Sequence, residues 1–149
     1  MAGTNAVAAK KALIDGLAAA PDLVNAGVQV AYSYPGHDAE RELIHGGRVE
    51  GTHDYPVSGS GPRFKRDEQL TIKLHIVVTK PGATVYDVEA RCAEIGTVVE
   101  ELIAGDPDLV NVPRLQWTGI SAVDLDSSEE DEHAIGVLTY DVFAKSRLD

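Results

Sequence analysis

At 149 residues, 44% hydrophobic and 25% charged, the chain has the composition of a soluble globular protein and can bury one core as a single domain, residues 1–149. No apolar run approaches the roughly 20 residues that a membrane span needs, and MAGTNAVAAKK lacks the basic start and leucine-rich stretch of a signal peptide, which argues against membrane insertion and secretion. A net charge of −11 excludes general nucleic-acid binding, because neutralising phosphates needs a basic footprint.

Residues 5–19 predict a first helix. Asn5 stands at its N-cap, Ala6, Ala9, Leu13, Leu17 and Ala20 form one apolar stripe with Val7 and Ile14 beside it, and Pro21 closes it. Val28–Tyr34 reads as a strand, and Pro35-Gly36 turns the chain. A second strand is expected over about 41–50, broken by Gly46-Gly47 as a bulge or tight bend. Residues 51–65 have no periodicity and are rich in glycine, proline and serine, which predicts a long loop of the kind that is usually functional or disordered until bound.

Arg66–Lys80 is the stretch around which the rest is organised. Leu70, Ile72, Leu74, Ile76 and Val78 occupy every second position, with Thr71, Lys73, His75 and Thr79 between them. Such alternation marks a strand with one side in the core and the other wet or contacted. Pro81-Gly82 ends it. A strong helix follows over 84–104: Thr84 and Asp87 have capping-box spacing, Val85, Val88, Cys92, Ile95, Val99, Leu102 and Ile103 trace an apolar stripe, and Gly105 fits a left-handed C′ position. Cys92, the sole cysteine, belongs to that stripe as a small core residue.

The pentapeptide Pro21-Asp22-Leu23-Val24-Asn25 recurs as Pro107-Asp108-Leu109-Val110-Asn111, each copy after a helix and before a strand. Strands are then expected over 115–125 and 134–145, with the acidic run 124–132 as their connection. The order implies an α+β fold, an antiparallel or mixed sheet of four or five strands with two helices packed on one face.

Catalytic signatures are absent. No GxSxG, P-loop or dinucleotide fingerprint occurs, and Ser58 and Ser60 have no base and acid at recognisable spacing. His37-Asp38 and His53-Asp54 flank the second strand, but no HxH or HxxxH pair on a firm element supplies two metal ligands. The expectation is a protein without enzymatic activity, metal or cofactor. Charge is more informative. Arg63, Phe64, Lys65 and Arg66, with Tyr55 nearby, make a basic, aromatic patch, whereas Asp126, Glu129, Glu130, Asp131 and Glu132 belong to a run without a base. Patches of opposite sign on different elements suit a head-to-tail interface between copies.

These features together resemble the tail terminator (tail completion) proteins of long-tailed bacteriophages, especially those of actinobacteriophages. The likeness is carried by the alanine-rich opening helix, VQVAYSYPG (28–36), DAERE (38–42), GGRVEGTHD (46–54), RDEQLTIKLHIVVTKPGAT (66–84) and VEARCAEIGTVVEELIAGDPDL (88–109). It implies a homo-oligomer, a hexameric ring capping the head-proximal end of the tail tube, which ends tube polymerisation and meets the head-completion (stopper) protein. Its partners would be the tail tube protein and that stopper, with DNA passing through the lumen unbound; its location would be the virion tail, after the host cytoplasm. The likeness leans to non-contractile tails. A head–tail connector or stopper is the alternative, and a monomeric ligand- or metal-binding α/β domain using His37, His53 and His75 a more distant one.

Overall fold

The computed structural model describes residues 3–55, 66–107, 109 and 112–148. Arg66–Pro81 forms β3, the middle strand of a five-stranded sheet. The others are β1 (Gln29–Ala31), β2 (Glu42–Asp54), β4 (Leu115–Glu130) and β5 (His133–Leu148), in the order β1-β2-β3-β5-β4. β1 runs parallel to β2 and the remaining pairs are antiparallel, so the sheet is mixed.

The alternation in β3 translates directly into burial. Leu70, Ile72, Leu74, Ile76 and Val78 are each at most 2% exposed, and β5 sets Ala144, Val142, Tyr140, Leu138 and Gly136 opposite them. Burying each of these leucine, isoleucine and valine side chains contributes about 1.5–3 kcal/mol. Helices α1 (Ala6–Ala18), α2 (Pro21–Asn25) and α3 (Val85–Ala104) cover this side. Their Ala9, Leu13, Leu17, Leu23, Val88, Cys92, Ile95 and Val99 join the same core cluster. The fold is therefore α+β, with its helices on one face of the sheet. The α3 capping box forms as expected, Thr84 Oγ1 accepting from the Asp87 N–H at 3.2 Å and an Asp87 carboxylate oxygen from the Thr84 N–H at 3.1 Å.

Gly96 decides how closely α3 approaches the sheet. A Cβ there would lie 2.5 Å from Tyr140 Oη and 2.8 Å from Leu138 Cδ2. At Gly46 a Cβ would meet the Tyr32 carbonyl oxygen at 2.5 Å, and the expected irregularity at Gly46-Gly47 is a register shift between Gly46 and Val49 against β3.

Several boundaries differ from expectation. Val28–Tyr34 shrinks to the three residues of β1, which pair only with Leu43–His45. Tyr32 and Tyr34 lie outside the ladder and are exposed, Tyr32 beneath Lys10 Nζ at 4.2 Å and Tyr34 edge-on to His45. Pro21 does not simply end α1; it opens α2 at a position where a missing N–H costs nothing. The second copy of the pentapeptide does not repeat that helix. Leu109 is buried as Leu23 is, but its φ is 49°, and Asp108, Val110 and Asn111 lie outside the described residues. Gly105 has φ −82° and is right-handed. Val7 is exposed.

The hairpins also differ. β2 continues through Asp54 because Asp67–Leu70 offer it partners, so the described start of the 51–65 segment is strand up to Asp54. The acidic run is mostly strand as well. β4 pairs with β5 out to Glu130↔His133, leaving Asp131 and Glu132 as the turn, both at positive φ (48° and 66°). A two-residue turn of this kind matches the twist of its strands but favours glycine at the second position.

Two stability predictions follow from this geometry. Gly96→Ala forces α3 away from Tyr140 and lowers unfolding free energy by about 1–3 kcal/mol in a denaturant titration. Glu132→Gly relieves a left-handed glutamate and raises it by about 1 kcal/mol.

Candidate assembly surfaces

The face of the sheet opposite the helices is built from the alternate residues. Thr71, Lys73, His75, Val77 and Thr79 of β3 are half-buried there, with Phe143, Asp141, Thr139, Val137 and Ile135 of β5 opposite. Lys73 Nζ donates to Asp141 Oδ1 at 2.6 Å, and His75 Nδ1 bonds Thr139 Oγ1 at 2.9 Å. The His45 and His75 rings stand 4.9 Å apart, and Trp117 of β4 lies on Phe143 at 4.8 Å. Burial, then the neighbouring His45 and Lys73, push the His75 imidazole below its usual pKa, against the opposing pull of Asp141. No described helix packs on this face, which confirms the expectation of a wet or contacted second side for β3.

His37, His53 and His75 do not converge. His75 is on the open face, whereas His53 pairs with Glu68 on the helix-covered face, and His37 sits in a short 3-10 turn (Gly36–Asp38). Among the described residues no three His, Cys, Asp or Glu side chains are grouped to hold a metal.

Arg66 and the acidic hairpin lie at opposite ends of the sheet. Arg66 opens β3 and faces Leu148, while Pro81 closes it and faces His133. With 16 residues and a rise of about 3.3 Å per residue, β3 separates these ends by roughly 50 Å. Tyr55 is exposed at the Arg66 end, and Arg66 itself is half-buried. Arg63, Phe64 and Lys65 lie outside the described residues. At the far end the structure brings Asp126, Glu129, Glu130, Asp131 and Glu132 together on one hairpin, all but the part-buried residue at 127 exposed along it.

Sequence reasoning missed a polar cluster near the Arg66 end. Glu68 is 1% exposed and accepts from the Asn5 backbone N–H at 2.7 Å, from Thr4 Oγ1, and from His53 Nε2 at 2.8 Å. Asn5 does not cap α1 with its side chain; its Nδ2 donates instead to the Pro113 carbonyl at 2.7 Å and to Ser146 Oγ at 3.1 Å. Burial raises the Glu68 pKa, but these donors outweigh it and hold the carboxyl below its usual range. The available signal was Glu68 standing in the same alternating series as Leu70 and Ile72. Beside it, Arg147 Nε donates to Asp67 Oδ1 at 2.7 Å and holds the Asp67 carboxyl low.

No family model matches the sequence, and no curated protein does. The fold is similar to that of a chain in the virion of a native gene transfer agent (GTA) particle, with a TM-score of 0.67 over 96% of this chain and 100% of that one, at 15% identity. At that identity the likeness establishes a shared fold.

Glu68 supports a pH prediction. A carboxyl held low in the folded state contributes stability that is present above its unfolded pKa and is lost as pH falls through the folded value. Glu68→Gln therefore costs about 1–3 kcal/mol at neutral pH, and the gap to wild type closes as pH falls below the ordinary glutamate range, measured by denaturation across an acid series.

Proposed function

We propose that this chain is a structural virion protein, a tail terminator that closes the head-proximal end of a phage tail tube as a ring of identical copies. The observation that carries this reading is the shared fold, over nearly the whole length of both chains, with a chain of a GTA virion. The resemblance in sequence texture to tail terminators points the same way. The surface chemistry suits the role. The open face, with its cross-strand Lys73–Asp141 pair and Trp117–Phe143 stack, offers mixed polar and aromatic contact area of the kind interfaces use. Oppositely charged ends favour head-to-tail contact between copies, involving Tyr55, Arg63, Phe64, Lys65 and Arg66 at one end and Asp126, Glu129, Glu130, Asp131 and Glu132 at the other. A net charge of −11 lets DNA move through a lumen without being gripped.

In this reading the partners are the tail tube protein below and the head-completion (stopper) protein above, the site is the tail of the virion, and no catalysis is required. Electron microscopy of particles assembled without the protein tests it. Abnormally long, headless tubes beside filled heads are expected. Tails of normal length beside unattached heads would make it a connector or stopper, and fully normal virions would overturn the structural role.

A further inference from the structure

Among the described residues the sheet ends on β4, which has β5 on one side and no strand on the other. Its ladder is irregular between Leu115 and Trp117 and between Ile120 and Ala122, then runs without a break from Ala122 to Glu130. That unbroken stretch contains no lysine, arginine or proline, and its charges are four acids, which blunt the edge against acidic strands and leave it open to a basic one. Val123 and Leu125 are 64% and 47% exposed. They sit on the helix side, opposite Tyr140 and Leu138, with Ala93 and Thr97 of α3 lining the same groove. Asp124 and Asp126 point to the other side, opposite Thr139 and Val137. Two such edges repel one another, because like charges on facing strands are destabilising. The complementary strand must be apolar at one position and basic at the two flanking it.

Arg63-Phe64-Lys65 has that alternation. The same molecule cannot deliver it. Residues 56–65 leave and re-enter the sheet at Tyr55 and Arg66, so the excursion reaches at most five residues out, about 17 Å. Asp124 and Asp126 are level with His75 and Val77, about 30–36 Å along β3 from Arg66 and two strands to the side. Resting on the assembly reading above, we propose that the free edge of β4 between Ala122 and Glu130 accepts residues 61–66 of a second copy as an added strand. Phe64 packs beside Val123 and Leu125, and Arg63 and Lys65 oppose Asp124 and Asp126. Backbone hydrogen bonds supply affinity, and the alternating side chains set the register. Because donor and acceptor surfaces differ, the contact is heterologous and propagates from copy to copy.

Charge exchange tests this on the full-length protein. Light scattering of Asp124→Lys/Asp126→Lys and of Arg63→Glu/Lys65→Glu should each show assembly weakened by about tenfold or more, and the two variants mixed, or all four changes combined, should restore it. Independently, a Phe64→Cys copy mixed with a Leu125→Cys copy, the pair that this register sets directly opposite, should form an intermolecular disulfide under mild oxidation. Cys92 does not interfere, since it is buried and its thiol is pushed up to about 11, chiefly by that burial. Wild-type-like assembly by both charge variants, or assembly or a monomer without the crosslink, overturns strand addition. Tail length in particles lacking the protein is a separate readout, so a failed crosslink beside overlong tails leaves the terminator reading standing.

Discussion

The structure depends on β3 being hydrogen-bonded along both edges while only one of its sides is apolar. β2 and β5 pair with nearly its whole length, so the middle of the sheet has no open backbone and its buried side chains fall in a single row. The helices then have one place to go. α3 follows β3 after a short turn and is fastened to the neighbouring strand by a bidentate contact, Arg91 Nε and Nη2 donating to the Glu42 carboxylate at 2.7 and 2.9 Å. That contact holds the Glu42 carboxyl below its usual range, against the opposing effect of burial. Among the described residues the product is two layers, helices over sheet, and the second sheet side carries ordered polar pairs.

Where a residue pattern reports directly on burial, the chain was legible before folding. The alternation in β3, the apolar stripe of α3 and the Thr84–Asp87 cap all reappear as drawn, because each depends on local period and one or two neighbours. What sequence alone obscured depends on partners distant in the chain. Gly51–Asp54 look like loop by composition and are strand because Asp67–Leu70 lie beside them. Ser127–Glu130 look like a solvated charge run and are strand because β5 extends as far as His133. Asn5 looks like a helix cap, yet Pro113 and Ser146, more than 100 residues away, offer its amide better partners. Of the candidate assembly residues, Asp126, Glu129, Glu130, Asp131 and Glu132 fall on one hairpin, and its distance from Arg66 follows only from the β3–β5 register.

The charge is therefore organised as well as abundant. One long strand separates Arg66 from the acidic hairpin, and hydrogen-bonded polar pairs occupy the face between them. A molecule with this polarity along its strands has a defined direction, which identical copies can use to stack or circle in one sense.

The irregularity at Gly46–Val49 has a longer reach than its size suggests. Gly46 is matched to Leu74 but Val49 to Ile72, three residues against two. The extra residue reverses the phase of everything downstream in β2. Before it, even-numbered residues such as Ile44 point to the helices; after it, odd-numbered ones do, and so His53 arrives on the side where Glu68 is buried. Were the same residues to pair regularly with β3 and form no bulge, His53 would point away from Glu68, and Val49 would change sides with it. Removing one of the two residues between Gly46 and Val49 would thus straighten β2 while leaving its faces as they are, so the bulge is the point at which this strand can absorb a one-residue change of length.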